Sequence, residues 1–167
     1  MRFLALAALF FSSVCGPLPA QAPSQSRPAE SAKPAADYSG MYSFLREGEF
    51  LQLTVEDDGR VVTGFLSRYG DLDSDRGAFL NQFFKKAKLD GNKLTFTTET
   101  VHGVWFEFSG SVVRGAGKTQ ADEAYFVLKG TLAQNSTDAA KKSSSQSREV
   151  AFKSFPQDAD QPTPPHD

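Results

Sequence analysis

The segment LQLTVEDDGRVVTGFL, residues 51–66, decides the fold. Its first six residues alternate apolar with polar, which is the period of a β-strand with one buried face. Asp58-Gly59 follows, a dipeptide favoured in tight hairpin turns because both turn positions need a positive φ. With these two residues as the loop, the apolar residues of both strands share one face. The predicted cross-strand pairs are Val55–Val62, Leu53–Gly64 and Leu51–Leu66.

A second hairpin is predicted around DGNK, residues 90–93, where Leu89 pairs with Leu94. A regular ladder on this register places Phe83 and Lys85 on the inner face of the sheet. It places Phe84 on the outer face.

A third hairpin turns at Val101-His102-Gly103. A two-residue loop there would point Trp105 into the core and Phe106 out of it, whereas a three-residue loop puts Phe106 and Phe108 inside. Because a slip of one residue exchanges the two faces of a strand, the core favours the three-residue loop.

Eight strands are predicted in all, the others near residues 38–46, 124–133 and 149–155, with the polar run 134–147 as a long loop. We therefore predict an all-β fold, an eight-stranded antiparallel up-and-down meander barrel, since closure removes exposed strand edges. A two-sheet β-sandwich is the alternative.

Residues 38–42, YSGMY, resemble the opening strand of calycin-type barrels, which are the lipocalins, fatty-acid-binding proteins and avidins. In those barrels a Gly-x-Trp usually stands where Gly40 to Tyr42 stands here. The stretch from Leu51 to Phe65 is similar to the second and third avidin strands. The resemblance covers residues 38–155 by strand layout and implies a ligand-carrying barrel. Avidins line their biotin pocket with several tryptophans. This chain has one, Trp105, so the resemblance assigns no pocket residue here.

The first 22 residues have the features of a cleavable signal peptide: Arg2, an apolar run over residues 3–11, and small residues before cleavage after Ala20 or Ala22. We therefore expect an extracytoplasmic protein, secreted or periplasmic. Residues 23–37 predict a disordered spacer, 38–155 the β-domain and 156–167 a disordered tail. Cleavage would remove Cys15, the only cysteine, so the domain would be stabilised without disulfides.

The function expected is a non-enzymatic barrel that binds a small apolar ligand or a protein partner. The net charge of −2 offers no basic surplus for nucleic acid, and no apolar run is long enough for an integral span. The ligand would contact the inward rings Phe96, Phe106, Phe108 and Phe126. Phe84 and Trp105 are the expected partner contacts on the outer face, where oligomerisation is possible.

Two alternatives stay open, an enzyme whose site lies in the loops 71–77 or 114–122, and a structural or adhesive module. The inward positions include no histidine and no charged residue except Lys85, which argues against an enzyme. Asp71, Asp73 and Asp75 alternate as in a calcium loop, but Arg76 stands at the sixth position where a glycine is needed. A solvated acidic loop is the preferred interpretation, so no cofactor is expected and Ca²⁺ is the alternative.

Overall fold

A computed structural model describes residues 37–71 and 75–157. One antiparallel sheet contains eight strands in sequential order and curls into a half-barrel, which confirms the predicted all-β up-and-down meander. The predicted signal peptide, the spacer up to residue 36 and the tail from residue 158 lie outside the described residues. The strands are β1 Gly40–Ser43, β2 Phe50–Glu56, β3 Val61–Tyr69, β4 Phe79–Asp90, β5 Lys93–Thr98, β6 Val104–Arg114, β7 Phe126–Thr137 and β8 Ser143–Lys153.

The hairpin between β2 and β3 has the predicted register, with Val55 opposite Val62. Asp58 and Gly59 have φ values of 54° and 90°, and the Arg60 amide donates to the Asp57 carbonyl at 3.2 Å. The two positive φ angles are those of a type I′ turn, the geometry that matches the twist of the flanking strands.

The hairpin between β5 and β6 has the predicted register, with Phe96 opposite Phe108, but a different turn. Val101 and Val104 exchange both backbone hydrogen bonds, at 2.9 and 3.0 Å, so the loop is the two residues His102-Gly103. The prediction of a three-residue loop was wrong because the extra residue lies behind the turn. Between the pairs Thr97–Glu107 and Val101–Val104, three residues on one side face two on the other. There the Phe106 amide donates to the Thr98 hydroxyl at 2.9 Å.

A β-bulge in β4 overturns the predicted faces of its first half. Phe84 pairs with Thr98 and Lys86 with Thr97, so Lys85 has no cross-strand partner. Because a bulge adds one residue to one strand, every residue before it changes face. Phe84 points inward, whereas Phe83 lies outside with 55% of its surface exposed and Lys85 is exposed as well.

The bulge also marks the place where the sheet turns. β4 pairs with β3 through its residues 79–83 and with β5 from Phe84 onward. The first and last strands meet over a short distance, where Tyr42 bridges Ser154 and the Phe155 amide donates to the Met41 carbonyl at 2.8 Å. Within the described part of the chain, the curled sheet is therefore closed at one end of β8 and open along the rest of that strand.

The polar run 134–147 forms the outer part of the β7–β8 hairpin rather than a long loop. Its strands pair without interruption out to Thr137–Ser143, and hydroxyl groups meet across them, Ser136 with Ser144 at 2.8 Å. A ribbon with two polar faces carries no apolar alternation, so the hydrophobic pattern could not identify it.

The core inside the curled sheet contains most of the residues that strand alternation predicts to face inward, together with Tyr42, Phe44 and Val112, which it did not predict. Of the predicted inward residues, Phe83 and Lys85 lie elsewhere, as described above. The buried apolar side chains that form one cluster are Tyr42, Phe44, Leu51, Leu53, Leu66, Leu89, Leu94, Phe96, Phe106, Phe108, Val112, Phe126, Leu128, Leu132 and Phe152.

Candidate functional site

The four rings expected to line an interior ligand site are buried in the core. Phe96, Phe106, Phe108 and Phe126 expose between 1% and 8% of their surfaces. Phe108 stacks on Phe96 with ring centroids 5.2 Å apart. The interior around these rings is therefore largely filled by protein atoms, although Phe96 and Phe108 are also lining residues of the open groove described below.

Phe84 extends this interior stack, although it was expected on the outer face. Its ring lies parallel to Phe96, 4.3 Å between centroids. It occupies the space above Gly64, where a Cβ atom would come within 2.6 Å of the Phe84 ring. Two residues that looked unrelated in the sequence are thus complementary in shape. The residues of this interior aromatic stack are Phe44, Phe84, Phe96, Phe106, Phe108 and Phe152.

One end of the interior is polar, which the sequence did not reveal. Arg68 is 3% exposed and its guanidinium lies 5.5 Å from the Phe106 ring centroid. Its Nε donates to Gln82 Oε1 at 2.6 Å and its Nη1 to Asp71 Oδ2 at 2.8 Å. The expectation of an interior without charge, apart from Lys85, is therefore wrong. A buried arginine is tolerated because each bond replaces one to water.

Gln82 links this charged group to the β5–β6 hairpin. The side chain is fully buried, and its Nε2 donates to the carbonyls of Glu99 at 3.0 Å and Val104 at 2.9 Å. The Val104 carbonyl also accepts from the Val101 amide, so Gln82 adds a second bond there. Gln82 thus joins β4 to both sides of the hairpin and provides a partner for the Glu99 carbonyl.

The acidic residues near this end face cations and amides. Asp71 accepts from Arg46 at 2.7 Å as well as from Arg68, and this hydrogen bond raises the pKa of Arg46 above its ordinary value. Glu49, buried, accepts from the backbone amides of Arg46 and Tyr69, both at 3.0 Å. These carboxylates stabilise the positions of β3 and of the turn before β2.

Asp75 and His102 form a pair that sequence spacing did not suggest. The Asp75 carboxylate, largely buried, lies 2.6 Å from Nδ1 of His102, whose side chain is about half exposed. His102 has a φ of 50°, a left-handed conformation that is uncommon outside glycine. The two residues lie 27 positions apart, and only the fold brings them together. A buried carboxylate fixes the orientation of the imidazole ring.

The expected calcium residues are not gathered around one point in the described part of the chain. Asp71 bonds to two arginines and Asp75 to His102, while Asp73 lies outside the described residues. Within residues 37–71 and 75–157, no group of three acidic, histidine or cysteine side chains is placed to hold a metal ion.

The second candidate loop, residues 114–122, is held by its own hydrogen bonds. Asp122 accepts from the amides of Lys118 and Thr119, both at 2.8 Å, and these bonds lower its pKa. Arg114 lies over the Tyr125 ring and donates to the Gly117 carbonyl at 3.1 Å. The charged groups of this loop therefore determine its shape.

An exposed aromatic surface covers the outside of β2, β3 and β4. Phe65 lies opposite Phe83 with centroids 5.5 Å apart, and Tyr69 opposite Phe79 at 4.4 Å. Phe79 and Phe83 expose 49% and 55% of their surfaces. The pair that lies between them on the same face, Ser67 and Asn81, is uncharged. We call Phe50, Phe65, Tyr69, Phe79 and Phe83 the outer aromatic face.

The strongly exposed large apolar side chains of the described residues all lie on or beside this half of the sheet. Besides Phe79 and Phe83 they are Met41 on β1, Val61 on β3 and Phe155 next to β1. The other half differs. There an open groove of about 470 Å³ crosses four strands. It is lined by the polar residues Lys86, Lys88, Thr95, Thr97, Glu107, Ser109 and Thr131 and by the apolar residues Ala87, Phe96, Phe108 and Ala133.

Trp105, the second expected partner contact, lies at the margin of this other half of the sheet. Its indole Nε1 donates to Glu107 Oε1 at 3.1 Å, and the residue is partly exposed. Because Phe84 faces inward, the two expected contacts lie on opposite faces of the sheet and do not form one patch.

Comparison of the chain with protein-family models, curated proteins and solved structures gives no match. Among residues 37–71 and 75–157, no helix has the length and apolar character needed to cross a membrane.

Proposed function

We propose that this chain is an exported, non-enzymatic binding module that engages a protein partner through the outer aromatic face. The observation that carries the proposal is the exposure of Phe79 and Phe83 within a patch of packed aromatic neighbours. Large aromatic side chains cost free energy when they face water, and they contribute more binding energy at interfaces than most residue types.

The dense interior supports a surface role over that of a carrier. The rings of Phe96, Phe106 and Phe108 each contact at least one other ring of the core. A small apolar ligand would have to displace packed side chains, and cores of this kind resist expansion. We infer a calycin-like barrel in which the interior stabilises the domain and the outer surface binds.

Site-specific photocrosslinking in the export compartment tests the proposal. A benzophenone amino acid in place of Phe83 is expected to capture one defined protein. The same probe at Thr95, which lines the groove on the other half of the sheet, is the matched control and should not capture it. With that partner purified, the double variant Phe79→Thr, Phe83→Thr should bind at least about tenfold more weakly, as expected for aromatic hot spots. Identical products at both positions, or none at Phe83, would contradict the proposal.

The Asp75–His102 pair favours a second candidate, a loop-borne hydrolytic site. A carboxylate at 2.6 Å from Nδ1 holds the ring so that Nε2 can accept a proton. His102→Gln should then hydrolyse an activated ester more slowly than the wild type, while its fold stays unchanged. His166→Gln is the control because it removes the other histidine of the chain. Equal rates in the wild type and His102→Gln would eliminate this candidate.

A further inference from the structure

The outer edge of β8 differs from the other features described so far because most of its length has no partner strand among the described residues. β8 runs over Ser143–Lys153 and pairs along its whole length with β7. On the opposite side, β1 contains only four residues. It reaches β8 at Lys153, whose amide donates to the Ser43 hydroxyl at 3.0 Å, and at the Tyr42–Ser154 bridge. Among the described residues, nothing pairs with the edge from Ser143 to Glu149.

The direction of the free backbone groups follows from the hydrogen bonds near the end of the strand. The Ser154 amide donates to the Phe126 carbonyl, on the β7 side, whereas the Phe155 amide donates to Met41, on the β1 side. Backbone groups alternate along a strand, and the β7–β8 ladder contains no bulge. The N–H and C=O groups of Ser143, Ser145, Ser147 and Glu149 therefore point to the open edge.

Little on this edge discourages pairing with another strand. Proteins usually protect exposed edges with proline, bulges, lysines or a very short strand. Residues 143–147 read SSSQS, without proline, glycine or charge. Their side chains are small or flexible, all are exposed, and the strand is already extended against β7. A further strand could add to it without rearrangement of the domain.

We propose that this edge pairs with the same edge of a second copy, antiparallel and centred on Gln146, to give a continuous two-fold sheet. In this register Ser145 faces Ser147 of the other copy and Ser143 faces Glu149, in both directions. Each is a hydrogen-bonded pair that exchanges two bonds, so the interface contains about eight backbone hydrogen bonds.

The charge pattern of the edge suits a second copy in this register. Arg148 lies opposite Ser144 of the other copy, so no like charges meet across the seam, and like charges directly opposite would destabilise it. The pairing also ends at Glu149, before the residues that approach β1. Closed two-fold association is the commonest symmetry of soluble oligomers because the same surface serves both copies.

Single cysteines report the register directly in a Cys15→Ser background, which leaves the introduced thiol alone. The two Gln146 residues form a non-hydrogen-bonded pair with Cα atoms about 4.5 Å apart, within disulfide range. Gln146→Cys should therefore crosslink to a covalent dimer under mild oxidation. Ser144→Cys is the matched control on the same face. Its two copies lie four residues out of register, about 14 Å apart, and should not crosslink.

Proline at Ser147 tests the edge without damage to the domain. The Ser147 amide points away from β7, so Ser147→Pro removes no ladder bond of the monomer but two bonds of the dimer. Sedimentation velocity should show the wild type and Ser147→Ala as dimers at high micromolar concentration. Ser147→Pro should dissociate at least about tenfold more readily, with unchanged circular dichroism.

Each other outcome overturns the proposal. The first is a wild type that stays monomeric, with no crosslink in Gln146→Cys. The second is a dimer whose dissociation does not change in Ser147→Pro. The third is a crosslink in Ser144→Cys as strong as that in Gln146→Cys. Loss of the dimer in Phe79→Thr, Phe83→Thr would place the contact on the outer aromatic face. That result would overturn edge pairing and leave the proposed function standing, with a second copy as the partner.

Discussion

Phe83 and Phe84 are neighbours in the chain, and they belong to regions of the molecule with opposite surroundings. Phe84 is part of the interior aromatic stack, 4.3 Å from Phe96 and in contact range of Gly64. Phe83 is part of the outer aromatic face and exposes 55% of its surface. Alternation along a strand separates any two neighbours, but the bulge at Lys85 decides which of the two lies inside. The same residue type thus stabilises the fold in one region and is available for binding in the other.

The largest expected effect is the difference between the alanine variants of these two residues. Phe84→Ala should lower the free energy of unfolding by about 2–4 kcal/mol, because it removes a partly buried ring that packs against the core. Phe83→Ala should change it by about 0.5 kcal/mol or less, as at other exposed positions. Urea unfolding of both variants measures the difference. Similar losses would mean that the outer aromatic face is a second core element rather than a free surface.

A smaller difference in unfolding free energy is expected between variants of Asn81 and Gln82, which precede Phe83 and Phe84 in β4. Gln82→Leu removes the acceptor for Arg68 and both donors to the β5–β6 hairpin, so it should cost about 2–3 kcal/mol of unfolding free energy. Asn81→Leu lies on the outer face and should be nearly neutral. If Gln82→Leu is also neutral in urea unfolding, the buried polar end contributes no net stability.

Gly64→Ala tests whether the room for Phe84 depends on the missing side chain. The new Cβ would lie 2.6 Å from the Phe84 ring and would contact the Gln52 carbonyl. Overpacking of this kind should cost about 1–3 kcal/mol. Gly91→Asn is the control, since its surroundings are open and asparagine tolerates the positive φ there. Hydrogen exchange of β3 should rise in Gly64→Ala only.

The smallest effect concerns Tyr42, the buried tyrosine of β1. Burial raises the pKa of its phenol well above the ordinary value of 10, and the hydroxyl donates to the Tyr38 carbonyl at 2.7 Å. Above pH 10 the phenol ionises in the unfolded chain before it does in the folded one. Stability should therefore fall with rising pH in that range by at most about 1.4 kcal/mol per pH unit.

Tyr42→Phe removes this dependence, although the lost hydrogen bond lowers its stability at neutral pH. Unfolding at pH 9, 10 and 11 compares the two slopes. Parallel curves would show that Tyr42 ionises equally readily in both states.

Local patterns were enough for the strand order and for the pairing of most strands. The alternation in residues 51–66 and the Asp58-Gly59 turn determine one hairpin, and the demand for a buried Phe106 determines the register of another. These features need only neighbours in the chain, which is why they could be predicted.

The candidate site was less accessible from the sequence. The pairing of Asp75 with His102 and of Arg68 with Gln82 joins residues 27 and 14 positions apart, and no local pattern signals such contacts. The outer aromatic face was missed because a regular β4 ladder assigned Phe83 to the core.

Amino-acid order alone determined that this chain is an eight-stranded meander, because period-two alternation and turn residues act over a few positions. Tertiary structure decided what each face of the sheet does. The bulge at Lys85 has no local signature, and it is favoured only because Phe84 then fits above Gly64 and Gln82 reaches the hairpin behind it. Packing between distant strands therefore placed one phenylalanine in the core and its neighbour on the surface.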